Sequence, residues 1–125
     1  MENQVHSYLN TLSENNREAM DDHLSSLRYA HIIQMALMPE NNYMKSLFSD
    51  YFVLYMPRDI VSGDFYYVYS NRQYLYVAVG DCTGHGVPGA LLTIMGISFL
   101  NEIFQCKTDH KANRVLNSMR EKVMK

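Results

Sequence analysis

The chain predicts an α+β (α/β) fold: a long opening helix, then a β-rich block, then two closing helices, on three observations. Residues 2–38 contain no Gly or Pro and repeat apolar residues at helical intervals. Residues 51–79 hold three short runs of aromatic and β-branched residues. From Val87-Pro88 onward an apolar run and then an amphipathic one return to the helical period. At 125 residues and 47% hydrophobic content the chain has enough apolar surface for one core.

The opening helix carries Val5, Leu9, Leu12, Met20, Leu24, Leu27, Ile33 and Leu37 at spacings close to a heptad seam. Asn16, His23 and His31 fall in or near that seam, and its phase slips between Leu12 and Met20. Two readings stay open for residues 1–38: a helical linker that pairs as a weak coiled coil in a homodimer, or one amphipathic helix lying on its own domain. Pro39 ends the helix, and Asn41-Asn42 is expected to begin a loop leading into a second unit, residues 39–125.

Strands are expected at residues 51–55 (YFVLY), 65–69 (FYYVY) and 74–79 (YLYVAV), the last two joined as a hairpin through residues 70–73. The alternating tyrosines are placed as sheet packing; no basic residues interleave with them, so a base-stacking surface is not expected. Eleven Lys+Arg against 13 Asp+Glu give a net charge of −2, which supplies no strong field for nucleic acid or an anionic membrane. The apolar stretch 87–100 is short and interrupted by Thr93, Gly96 and Ser98, so no membrane span is expected in this segment. Cys82 and Cys106 form no C-x-x-C motif and are read as reduced thiols of a cytoplasmic protein.

Two segments put an aspartate beside glycine at a strand end: Ser62-Gly63-Asp64-Phe65 and Gly80-Asp81-Cys82-Thr83-Gly84-His85-Gly86. If the last two strands form a hairpin, Asp64 begins one and Asp81 ends the other, at the same edge of the sheet. Converging carboxylates call for a raised pKa or a cation, and a hard ion such as Mg²⁺ or Mn²⁺ is the expected occupant. Asp beside Gly is also ordinary turn chemistry, and spacing alone leaves that alternative open.

The strings ALMP (36–39), DYFVLYMPRDIVSGDFYYV (50–68) and VAVGDCTGHGVPGALLTIMGISFLNEI (77–103) resemble the opening of PPM-type (protein phosphatase 2C-like) serine/threonine phosphatase domains of the stage II sporulation protein E type. The resemblance covers roughly residues 30–121, and the ordered SGDFY and GDCTGHGVPGA blocks make it specific. It implies a β-sandwich flanked by helices, with a two-metal Mn²⁺ or Mg²⁺ centre whose bound water attacks a phosphoserine or phosphothreonine of a protein substrate in bacterial signalling.

Carried across, Asp81 matches the bridging metal ligand and Asp64 the first-motif aspartate, on a metal or its water. Cys82 stands where the family has a glycine that coordinates through its backbone carbonyl, so no thiolate is implied. Arg58 is either a phosphate clamp or an exposed loop arginine. Gly63, Gly84, His85 and Gly86 are expected to shape the loop, His85 by packing rather than ligation.

The family's remaining metal aspartates lie on later strands. After Asp81 this sequence offers only Glu102, Asp109 and Glu121 as acids, none in a matching motif. The expectation is a truncated sandwich, weak or absent metal binding and no activity of the chain alone. The alternative function is a non-catalytic dimerisation or interaction fragment. A nucleotide cradle at the Gly-rich loop ranks last, because the loop lacks the G-x-x-x-x-G-K-[ST] spacing.

Overall fold

The computed structural model describes residues 2–106 and 110–124, with side chains over the same ranges except at residues 2, 3, 5 and 7–9. The seam positions Val5 and Leu9, and the acid Asp109, therefore lie outside the described residues or side chains. The elements are α1 (Glu2–Leu37), α2 (Asn41–Leu47), β1 (Asp64–Ser70), β2 (Leu75–Asp81), α3 (Gly86–Cys106) and α4 (Ala112–Val123).

The 36 residues of α1 make a rod of about 54 Å at 1.5 Å per residue. Residues 10–23 are exposed on every side, and burial begins at Leu24. From there one face, through Leu27, His31, Gln34 and Met38, turns inward and packs on α3. The C-terminal half of the helix thus lies on its own domain, while Leu12 and Met20, earlier on the seam, are exposed.

Two expectations fail between Pro39 and Asp64. The loop predicted at Asn41-Asn42 is the first turn of α2, where their backbone amides need no helical partner. Met44 is buried beneath it, and the Tyr43 hydroxyl accepts from the backbone N–H of Ser70 at 3.1 Å, so tertiary packing overrides the local turn signal. The strand predicted at residues 51–55 does not form: the segment joins no strand ladder among the described residues, leaving Phe52 at 90% and Leu54 at 76% exposure. β-propensity records how well a side chain suits a sheet that a neighbour completes, and among the described residues this segment pairs with neither strand of the hairpin.

The hairpin forms, in the register Asp64↔Asp81 through Ser70↔Leu75. Its turn closes with Asn71 N–H donating to Tyr74 O at 2.9 Å, while Asn71 Oδ1 accepts from the amides of Gln73 (2.9 Å) and Tyr74 (2.8 Å). Strand parity assigns the faces. Phe65, Tyr67, Tyr69, Tyr76 and Ala78 turn toward α3, where Ile97, Leu100, Ile103 and Phe104 complete the core. Tyr66, Val68, Leu75, Val77 and Val79 occupy the other face, largely uncovered on β2.

α3 is long and apolar enough to cross a membrane by length and composition, and in this fold eight of its residues are buried as the central helix of the core. α4 closes the other side through Val115 and Met119, with Lys122 bridging Glu102 on α3 at 2.6 Å.

Tyr67 illustrates what this core does to a polar group. Burial, with smaller contributions from Tyr69 and Tyr43, pushes its phenol up to about 12, and its hydroxyl donates to Asn101 Oδ1 at 2.9 Å. The folded state therefore keeps a proton that the unfolded chain gives up near pH 10, so stability is full below pH 10 and falls as pH rises from 10 to about 12. Tyr67→Phe is expected to flatten that alkaline loss at a cost of about 1 kcal/mol at neutral pH, read by thermal melts across pH 8–12.

Candidate metal and phosphate site

At the open end of the hairpin, Asp64 and Asp81 stand directly opposite each other. Cys82 N–H donates to Gly63 O at 3.2 Å just outside them, which by ladder alternation makes Asp64/Asp81 a non-hydrogen-bonded pair. Such pairs bring their Cα atoms to about 4.5 Å, with both side chains on one face. The carboxylates are exposed and point away from α3.

The segment before Asp64 is held by two buried polar side chains. Gln34 of α1 is fully buried; its Nε2 donates to Ser62 O at 2.5 Å, and Ser62 N–H donates to its Oε1 at 3.0 Å. The amide thus pairs with Ser62 as a neighbouring strand would. Thr93 of α3, also fully buried, shares its hydroxyl between Ser62 O (3.1 Å) and Gly63 O (2.6 Å). Ser62 Oγ accepts from Asp64 N–H at 3.0 Å, and the Tyr55 hydroxyl donates to Asp64 O at 3.2 Å.

Backbone approach is just as tight. A Cβ on Gly63 would fall 2.6 Å from Cys82 O, and one on Gly89 2.8 Å from Gly84 O. The loop after Asp81 turns through Gly84 and Gly86 at φ 94° and 64°, the left-handed region that side chains disfavour.

A cavity of about 240 Å³ lies between the two loops, lined by Arg58, Asp59, Asp64, Asp81, Cys82 and His85 among others. His85 Nδ1 meets Asp59 Oδ2 at 3.3 Å. Arg58 is exposed at the same cavity. Burial lifts the Cys82 thiol above its ordinary value; a hydrogen bond with Thr93 opposes the shift, and Asp81 and Asp64 add to it. Its sulfur is a thiol at neutral pH, leaving the main chain as its means of touching a cation. The Cys82 carbonyl is turned toward Gly63 beside the cavity.

Among the described residues no three His, Cys, Asp or Glu side chains gather closely enough to enclose a metal. Two facing carboxylates and nearby carbonyl oxygen suit a hard divalent cation that keeps much of its water. Sequence reasoning missed Gln34, Thr93, Asp59 and Gly89. Gln34 and Thr93 carried a signal, as lone polar residues within apolar stretches; Asp59 and Gly89 carried none.

No family profile matches the chain, and no curated protein does. A solved structure does: the SiaA-PP2C domain of Pseudomonas aeruginosa, 32% identical, with a TM-score of 0.75 over 83% of this chain. The chain has the fold of part of a PP2C domain. It spans 42% of that solved chain. On this partial PP2C fold, the Asp64/Asp81 pair sits where β1 begins and β2 ends, beside the entry to α3.

Proposed function

We propose that this chain is a phosphatase module of the PPM type, of the stage II sporulation protein E kind, built for metal-dependent hydrolysis of phosphoserine or phosphothreonine in a protein of a bacterial signalling pathway. The observation that carries the reading is the Asp64/Asp81 pair, directly opposed on one face of a PP2C-like hairpin and sharing its cavity with Arg58. Asp64, Asp81 and the Cys82 carbonyl would hold Mn²⁺ or Mg²⁺. When bound, the ion supplies water activation and neutralises charge on the phosphoryl group.

The remaining work belongs to the chain. Arg58 orients the phosphate through its guanidinium, a planar fork that fits two phosphate oxygens. Gln34 and Thr93 hold residues 62–63 so that the Asp64 carboxylate keeps its place opposite Asp81. The test is calorimetric titration with Mn²⁺ together with turnover of p-nitrophenyl phosphate. Turnover that rises with Mn²⁺ occupancy and is lost in Asp81→Asn supports a working site and overturns the expectation that the chain alone is inactive; Mn²⁺ binding that Asp81→Asn leaves unchanged removes the site, and absent binding with no turnover makes this chain an inactive fragment or interaction module.

A second reading, an interaction module that dimerises through α1, rests on residues 10–23, which are exposed on every side with Leu12 and Met20 on the seam. Its mark would be a dimer by light scattering that Met20→Glu dissociates, with no Mn²⁺-dependent turnover.

A further inference from the structure

We propose that residues 51–57 form an antiparallel strand ladder with the same residues of a second copy of this chain, about a two-fold axis at Leu54, making the protein a homodimer through this edge.

The segment has the chemistry of a strand without a strand beside it. Its side chains alternate: Phe52, Leu54 and Met56 stand outward at 90%, 76% and 81% exposure, while Tyr51 and Tyr55 turn inward and Val53 is half-exposed. The Tyr51 hydroxyl donates to Asn41 O at 3.2 Å and the Tyr55 hydroxyl to Asp64 O at 3.2 Å, which ties both inward side chains to the domain. Tyr55 also meets Tyr66 edge-on, with ring centroids 6.3 Å apart. Phe52, Val53, Leu54 and Met56 find no backbone hydrogen-bond partner among the described residues. A row of free N–H and C=O groups flanked by apolar side chains is a template on which another strand can pair.

The order of residues in the segment selects a second copy as that strand. An antiparallel two-fold pairing centred on Leu54 sets Phe52 against Met56 and, at both ends, Asp50 against Arg58. Asp50 and Arg58 are exposed and opposite in charge, and residues 51–57 between them carry no charge. The ladder thus has an apolar centre closed at each end by an ion pair between copies. Ladder parity agrees. With Leu54 facing its own counterpart as a hydrogen-bonded pair, Phe52 and Met56 form the next such pairs. Pro57 then falls opposite Tyr51 in a non-hydrogen-bonded position, where its missing N–H costs nothing. A strand of unrelated sequence would make no use of this internal symmetry.

This surface is separate from the exposed seam of α1 at Leu12 and Met20. At its Arg58 end the ladder reaches the rim of the 240 Å³ cavity. The dimer does not depend on whether the chain hydrolyses phosphate, and its test needs neither metal nor substrate.

The test is light scattering and sedimentation of the full chain over a concentration series in metal-free buffer. The expected result is a species at twice the 14.5 kDa of one chain. Leu54→Lys sets like charges opposite each other at the axis and is expected to weaken the dimer at least about 100-fold, with circular dichroism unchanged because Leu54 is exposed. Asp50→Arg is expected to weaken it about tenfold, and adding Arg58→Asp to that variant to restore it. Met20→Glu should leave this dimer intact. Register is read by crosslinking in a Cys106→Ser background. Leu54→Cys should give a disulfide-linked dimer on mild oxidation, whereas Phe52→Cys, roughly 14 Å from its counterpart along the ladder, should not. A wild-type monomer overturns the proposal and leaves the edge to a strand of another polypeptide. A dimer that Met20→Glu dissociates and Leu54→Lys does not assigns association to α1 and overturns it equally. Crosslinking through Phe52→Cys as readily as through Leu54→Cys removes the register, and the proposal with it.

Discussion

Asp81→Asn is expected to weaken Mn²⁺ binding by at least about tenfold, or about 1.4 kcal/mol, and to abolish Mn²⁺-dependent turnover, without destabilising the metal-free chain. The argument starts from the register. Asp64 and Asp81 are direct cross-strand partners, and like charges so placed oppose the strand pairing. Neutralising one relieves that repulsion, so the metal-free variant should melt at the same temperature as the wild type or slightly higher, by a few tenths of a kcal/mol. A cation reverses the balance, because it gains most where two carboxylates already face each other. A variant that is more stable without metal and deaf to metal marks a binding site. One that loses stability in metal-free buffer marks a structural aspartate and removes the site. Calorimetry and thermal melts, each with and without Mn²⁺, separate the two outcomes.

Gln34→Leu is expected to cost about 2–3 kcal/mol in urea unfolding and to loosen the strand that carries Asp64. Leucine fills much of the volume but pairs with neither backbone group of Ser62. The Ser62 carbonyl keeps Thr93, whereas its N–H loses the partner the structure gives it, and an unsatisfied buried donor costs about 1–3 kcal/mol. Loss of side-chain fit adds the remainder. Faster amide exchange at Ser62 and Asp64 with α1 still helical would place the effect in the clamp; a helix lost from circular dichroism in proportion to stability would make Gln34 an ordinary core residue. Gln34→Glu is the sharper variant, since a carboxylate cannot donate to Ser62 O and would be buried charged.

Much of the outline was legible in the sequence. An uninterrupted run without Gly or Pro located α1 to within a residue, and Pro88 in a first turn located α3. The hairpin follows from two β-rich runs around residues 70–73, and their pairing alone places Asp64 and Asp81 at one edge. These are local signals: period, breaker and turn act within a few residues of the structure they cause. The strand expected at residues 51–55 failed because strand formation depends on a partner, and the loop expected at Asn41-Asn42 became α2 because Met44 and Tyr43 found distant contacts.

The site divides in the same way. By itself the sequence singled out Asp64, Asp81 and Arg58 as residues that could carry chemistry, with Gly63, Gly84, His85 and Gly86 as residues that shape the loops beside them. Only the tertiary structure decided how they are held. Gln34 reaches Ser62 across 28 residues and Thr93 reaches Gly63 across 30, and no periodicity within either helix specifies which loop its polar side chain will meet. Such contacts are chosen when apolar faces pack, because a polar side chain carried into the core is stable there only where a matching backbone group awaits it.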